Sequence, residues 1–321
     1  MALTKHPIAD LIARRGGLVI DGAMSTPLEA AGLNLNDTLW SAKALLECPD
    51  LVRKVHYDYY AAGANAVEAC SYQATEAAFA RKGIEKAEAS RLIRLSGELV
   101  REAKNDVLLD HPEWDPADLL TAGSIGPYGA YLADGSEYTG AYDLTREEYY
   151  AFHQLRLDEL LNSGMDILAI ETQPRFDEIE ALLAMIAERD ITCWVTVTLK
   201  DGDMPDGTKL EVLAKCLDAD PHVEAFGFNC VKREWVEPGL KRLSAYTDKP
   251  LSIRIPVRRM IRQRRPGMLR ARMSRTGIIT CRSGNIRAHA ALAAAAARCL
   301  RTLCRLRSSF MGRPRSINVE G

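Results

Sequence analysis

The chain has 321 residues, 47% of them apolar, which is enough for a large buried core and excludes global disorder. Its formal charge of −1 conceals two unlike parts: residues 1–251 hold 25 Lys+Arg against 42 Asp+Glu (−17), whereas residues 252–321 hold 17 Arg, no Lys and one acid, Glu320 (+16). No run of about 18 apolar residues is present, so no membrane span is expected; the N-terminus has no secretory apolar stretch, and eight scattered Cys suit a reducing cytoplasm better than a disulfide framework.

In chain order, short apolar runs at 18–21, 66–72, 119–123, 167–171, 193–199 and 225–230 predict strands buried on both faces, as in a parallel sheet. Amphipathic segments at 51–62, 87–107, 145–162, 176–189, 210–217 and 238–246 predict the intervening helices. Pro49 and Asp50 start the first of these, and Thr145 with Glu148 forms a capping box ahead of the third. Six such units fit a doubly wound sheet or most of a barrel. No Gly-rich dinucleotide turn follows the first strand, so the expected fold class is an α/β (β/α)8 TIM-type barrel with two units still owed after Lys249.

Function in such a barrel gathers where the strands end. Asp21 lies there on strand one, Ser71 and Tyr72 on strand two, Gly123 and Ser124 on strand three, Glu171 on strand four, and Asn229 with Cys230 on strand six. Two carboxylates and a thiol thus converge on one mouth. Each has an ordinary alternative: Asp21 as a turn or cap residue, Glu171 as the partner of an Arg, Cys230 as a small buried apolar group. The loop after strand three lacks the GK[ST] ending of a phosphate-binding loop, no His pair has metal-site spacing, and no GxSxG is present.

The phrases LVIDGAMSTPLEAAGLNLNDTLWSAKAL, HYDYYAAGANAVEACSYQAT, AGSIGPYGAYLADGSEYTGAY, ILAIETQP and FGFNC go further. Together they resemble the zinc-dependent homocysteine S-methyltransferases, in the branch that uses S-methylmethionine or S-adenosylmethionine. The resemblance runs from about Leu18 to Leu251, with one departure at Pro27, where an acidic residue is expected. It implies transfer of a methyl group from a sulfonium to a zinc-bound homocysteine thiolate, giving methionine. A free thiol has a pKa near 8.5, and coordination to Zn2+ removes its proton. The resemblance makes Cys230 one of three thiolate ligands and assigns the substrate ammonium to Asp21 and Glu171. It places Gly123 and Ser124 beside the methyl donor, and it implies neither a membrane nor a nucleic-acid partner.

The other two ligands belong to a GGCC run on strand eight that this chain lacks, as it lacks the YPNSGE phrase of strand seven. We read residues 252–321 as the family's coding region in a shifted frame. Taking the third base of each codon with the first two of the next, residues 251–258 permit Val-Tyr-Pro-Asn-Ser-Gly-Glu, and the stretch from Leu292 through Ala297 permits Gly-Gly-Cys-Cys-Arg in register. The domains expected are therefore a methyltransferase barrel of six units over 1–251 and an aberrant Arg-rich tail over 252–321, in place of strands seven and eight. Cys281, Cys299 and Cys304 are not adjacent to one another, so the zinc set is expected to be incomplete and catalysis impaired. Arg254 and Pro256 argue against a seventh strand in LSIRIPV, which would leave strands one and six as open edges. The rival reading is a non-catalytic barrel with an Arg-rich arm for polyanions.

Overall fold

The computed structural model describes residues 5–259 and 272–280. Eight strands close into a barrel in sequence order: β1 Gly17–Gly22, β2 Ala66–Glu68, β3 Leu120–Ile125, β4 Ile167–Gln173, β5 Cys193–Val197, β6 Val223–Asn229, β7 Leu251–Arg259 and β8 Arg272–Thr280. Strands β1 to β7 run parallel, and β8 runs antiparallel to both β7 and β1.

The six predicted strands are all present, with β2 shorter than expected. Ser71 and Tyr72 leave the ladder because Ser71 N donates to Ala69 O at 2.7 Å and Ala74 N to Ser71 O at 3.0 Å, which turns the chain at the barrel rim. The capping box is formed: Thr145 Oγ1 accepts from Glu148 N at 3.2 Å, and Glu148 Oε2 accepts from Thr145 N at 2.7 Å, opening the helix Arg146–Asn162. The sixth helix begins earlier than predicted, as Arg233–Leu243, with Pro238 inside it at the expense of one backbone bond.

The barrel interior follows from period-two alternation. Leu18 and Ile20, Ala66, Leu120 and Ala122, Ile167 and Ala169, Trp194 and Ala225 form one buried cluster. It is joined from below by Ile8, Leu11 and Ile12 of the helix Pro7–Arg15. Glu224 fixes that plug by accepting from Ile8 N at 2.9 Å and Ala9 N at 3.0 Å, at the positive end of the helix. A second, larger core lies between the strands and the surrounding helices.

The seventh strand corrects the expectation of an open edge. LSIRIPV forms β7 and pairs with β6 from Phe226↔Leu251 to Asn229↔Arg254, while β8 pairs with β1 from Gly17↔Thr280 to Gly22↔Thr276. Pro256 lies past the last residue paired with β6, so its missing N–H interrupts no bond on that side. Twelve residues (260–271) separate β7 from β8, and β8 returns antiparallel instead of completing a parallel unit. The alanine run and Cys281, Cys299 and Cys304 lie outside the described residues.

The β6–β7 seam leaves no space at Gly227, where an added Cβ would stand 1.9 Å from Ser252 O. Gly227→Ala is therefore expected to lower unfolding free energy by about 3 kcal/mol in a urea titration. Unchanged stability would mean that β7 is not seated there.

Candidate functional site

The alternation that fills the barrel with apolar side chains continues upward into polar ones. Two residues beyond Ala66 comes Glu68, beyond Ala122 comes Ser124, beyond Ala169 comes Glu171, and four beyond Ala225 comes Asn229. All four are buried. Alternation alone would turn Asp21 outward, but a register irregularity between Ile20 and Gly22 falls on it, and its side chain joins the others. These residues line a cavity of about 380 Å³ at the carboxyl ends of the strands, together with Met24, Trp40, Tyr72, Thr172, Cys230 and Arg254.

At its floor one guanidinium meets three carboxylates. Arg254 Nη1 donates to Glu171 Oε1 at 2.6 Å, and Nη2 to Asp21 Oδ1 at 2.7 Å and Glu68 Oε2 at 2.5 Å. Ser124 Oγ donates to Glu171 Oε2 at 2.8 Å, and Glu68 N to Asp21 Oδ2 at 3.1 Å. Burial, only partly offset by Arg254, pushes the Asp21 carboxyl up to about 7 and the Glu68 carboxyl well above the usual carboxylate range. Burial also opposes the charge on Arg254, but Glu68, Glu171 and Asp21 outweigh it and hold the guanidinium well above its ordinary value. Three full negative charges against one positive would leave a buried excess; protons on part of the set relieve it.

The rim is braced and strained. Thr172 and Cys230 both have left-handed backbones, with φ of 57° and 56°, costly for residues bearing a Cβ and especially for β-branched Thr. Asn229 cross-links them: its Oδ1 accepts from Thr172 N at 2.9 Å, its Nδ2 donates to Thr172 Oγ1 at 2.8 Å, and that hydroxyl lies 3.7 Å from Cys230 Sγ. The loop after β3 is fixed from behind by buried Arg156, which donates to Tyr72 O at 2.8 Å and Gly126 O at 2.7 Å. Gly126 packs so closely on Tyr72 that a Cβ would come within 2.6 Å of Tyr72 O.

Of the residues singled out from sequence, Asp21, Tyr72, Ser124, Glu171, Asn229 and Cys230 meet in the cavity. Ser71 sits behind it, its hydroxyl donating to Ser124 O at 2.7 Å. Gly123 faces the helix side, where a Cβ would meet Leu168 and Leu160. Sequence reasoning missed Glu68, although a lone carboxylate in an apolar strand was the available signal, and it weighed Arg254 only as an obstacle to a strand. Among the described residues no group of three or more His, Cys, Asp or Glu could hold a metal ion. Two described thiols, Cys70 and Cys230, line the cavity, and Cys70 Sγ is engaged with Ser41 O at 3.3 Å, so the described residues do not fit a three-thiolate zinc site.

The family model described as homocysteine S-methyltransferase matches residues 18–261. The chain is 46% identical over 250 residues to the homocysteine S-methyltransferase of Escherichia coli (strain K12), covering 77% of this chain and 80% of that protein. It is 41% identical over 251 residues to homocysteine S-methyltransferase YbgG of Bacillus subtilis (strain 168), covering 77% and 80%. Among solved structures, the metallated form of the E. coli homocysteine methyltransferase MmuM superposes with a TM-score of 0.73 at 46% identity, covering 76% of this chain and 85% of that one. The oxidized form of the same enzyme gives 0.75 at 45% identity, covering 78% and 86%. With most of its barrel matched in sequence and in fold, this chain belongs to the homocysteine S-methyltransferase family.

Proposed function

We propose that the barrel mouth is the homocysteine subsite of a methyltransferase that makes methionine, with S-methylmethionine or S-adenosylmethionine as the methyl donor. The observation that carries this reading is the convergence of Asp21 and Glu171 from β1 and β4 onto one cation, the Arg254 guanidinium, at 2.7 and 2.6 Å. Carboxylates so placed can orient a substrate ammonium. Ser124 fixes the Glu171 carboxylate, and the Cys230 thiol lines the same cavity.

The reaction needs no general acid. The sulfonium S–CH3 bond breaks with its electron pair left on the donor sulfur, which departs as a thioether. A new S–CH3 bond forms on homocysteine, whose thiol proton is lost to solvent. What this chain's residues supply is placement and a largely buried setting. In the family Zn2+ would lower the pKa of the homocysteine thiol so that it reacts as a thiolate; this sequence lacks the GGCC phrase expected to join Cys230, so transfer is expected to be slow. The eight scattered cysteines suit a reducing compartment such as the cytoplasm, and no described helix is long and apolar enough to cross a membrane.

The test is methionine formation from homocysteine with each sulfonium in turn, followed by mass spectrometry. Slow turnover is expected, and once the competing guanidinium is removed (Arg254→Ala background) Glu171→Gln should raise KM for homocysteine about tenfold while leaving KM for the sulfonium unchanged. If that substitution acts on the sulfonium and not on homocysteine, the assignment of the subsite is wrong.

A further inference from the structure

We propose that Arg254 is an internal occupant of the ammonium subsite, with Glu68 as its third wall, so that the chain carries its own cation where an α-amino acid would place one. The proposal rests on the reading of Asp21 and Glu171 given above.

Bonding capacity decides it. A substrate ammonium brings three N–H donors and needs oxygens that face it. With Arg254 in place, Glu171 Oε1, Asp21 Oδ1 and Glu68 Oε2 are all taken by the guanidinium, Glu171 Oε2 by Ser124, and Asp21 Oδ2 by Glu68 N. Glu68 Oε1 is the carboxylate oxygen of the set left buried without a hydrogen-bond partner among the described residues, and Arg254 Nε is likewise unpartnered. These loose ends distinguish the cluster from a fully satisfied structural ion pair. An incoming ammonium would find one oxygen in place of several and a like charge beside it.

The position of Arg254 is equally particular. Ser252 and Arg254 are the buried, inward pair of β7, and Arg254 pairs across from Asn229 at the level of the cavity. It is only 8% exposed. No other described Arg or Lys lines this cavity. The cation therefore enters through the first residues of the Arg-rich segment, within the last residues of the 18–261 stretch that the family model matches.

Isothermal titration calorimetry on the full chain tests this with two probes, homocysteine and its des-amino analogue 4-mercaptobutyrate. Arg254→Ala and Arg254→Met, the second keeping the apolar stem, are expected to bind homocysteine at least about tenfold more tightly than the parent, with little change for 4-mercaptobutyrate. Equal homocysteine affinity in parent and variants overturns the occupant proposal and leaves the ammonium subsite standing. An equal gain for both thiols instead removes the ammonium reading itself. Should both variants fail to fold, the parent decides: it is expected to bind the two thiols alike, and a several-fold preference for homocysteine refutes the proposal.

Discussion

A chain in which the residues after Leu251 are rewritten to carry the shifted-frame phrases, Val-Tyr-Pro-Asn-Ser-Gly-Glu and Gly-Gly-Cys-Cys-Arg at their permitted positions, is expected to bind one zinc ion and to methylate homocysteine roughly a thousandfold faster than the present sequence. Two changes act together. The rewritten tail brings two adjacent thiols to join Cys230, and metal affinity rises steeply with each thiolate because a partial set leaves the ion with water in their place. It also removes Arg254 from the floor of the cavity, where it now engages Asp21, Glu68 and Glu171. The single substitution Arg254→Ala separates the two effects: amino-acid binding should return without zinc. Elemental analysis and turnover are the measurements. A rewritten chain that folds but carries no zinc would show that the frame reading is wrong, whatever becomes of Arg254.

The second large effect is a stability that rises as the solution is made mildly acidic. Asp21 has an ordinary carboxyl value of 3.8 and is pushed by burial up to about 7 in the folded chain, with Glu68 shifted in the same direction. Between those values the folded state binds the proton that the unfolded state has released, so raising the pH through this window costs stability. The shift of Asp21 corresponds to something on the order of 4 kcal/mol between pH 4 and pH 7. Surface carboxylates act oppositely. Asp118 is held below its usual range mainly by the hydrogen bond from Arg15, and Asp37 mainly by the backbone N–H of Leu39. Their contribution is lost as pH falls through their depressed values, below about 4. Thermal unfolding should therefore show a maximum on the acid side of neutrality. Asp21→Asn should flatten the slope between pH 5 and 8, and an undiminished slope in that variant would assign the effect elsewhere.

Much of the fold could be read directly because its causes are local. Six apolar runs, each with a helix to cover it, state a parallel α/β sheet, and the capping box at Thr145 and Glu148 is a contact between near neighbours. The site was partly legible for the same reason: Ser124, Glu171 and Asn229 end strands whose alternation is visible in the sequence, whereas Asp21 turns inward only through the irregularity between Ile20 and Gly22. Where reading failed, a distant partner changed the sign of a local rule. Arg254 looked hostile to a buried strand, because an isolated charge is. Three carboxylates from β1, β2 and β4 reverse that judgement, and none of them is near Arg254 in sequence.

The sequence by itself determined the family, the order of the first six units and the identity of the carboxylates and thiol at the mouth, since these reside in contiguous phrases and period-two patterns. Only the tertiary structure decided that β7 and β8 close the barrel, that the eighth strand runs antiparallel, that Glu68 joins the site, and that a guanidinium sits in it. Closure and charge compensation depend on groups brought together from opposite ends of the chain, and no local pattern of residues encodes their meeting.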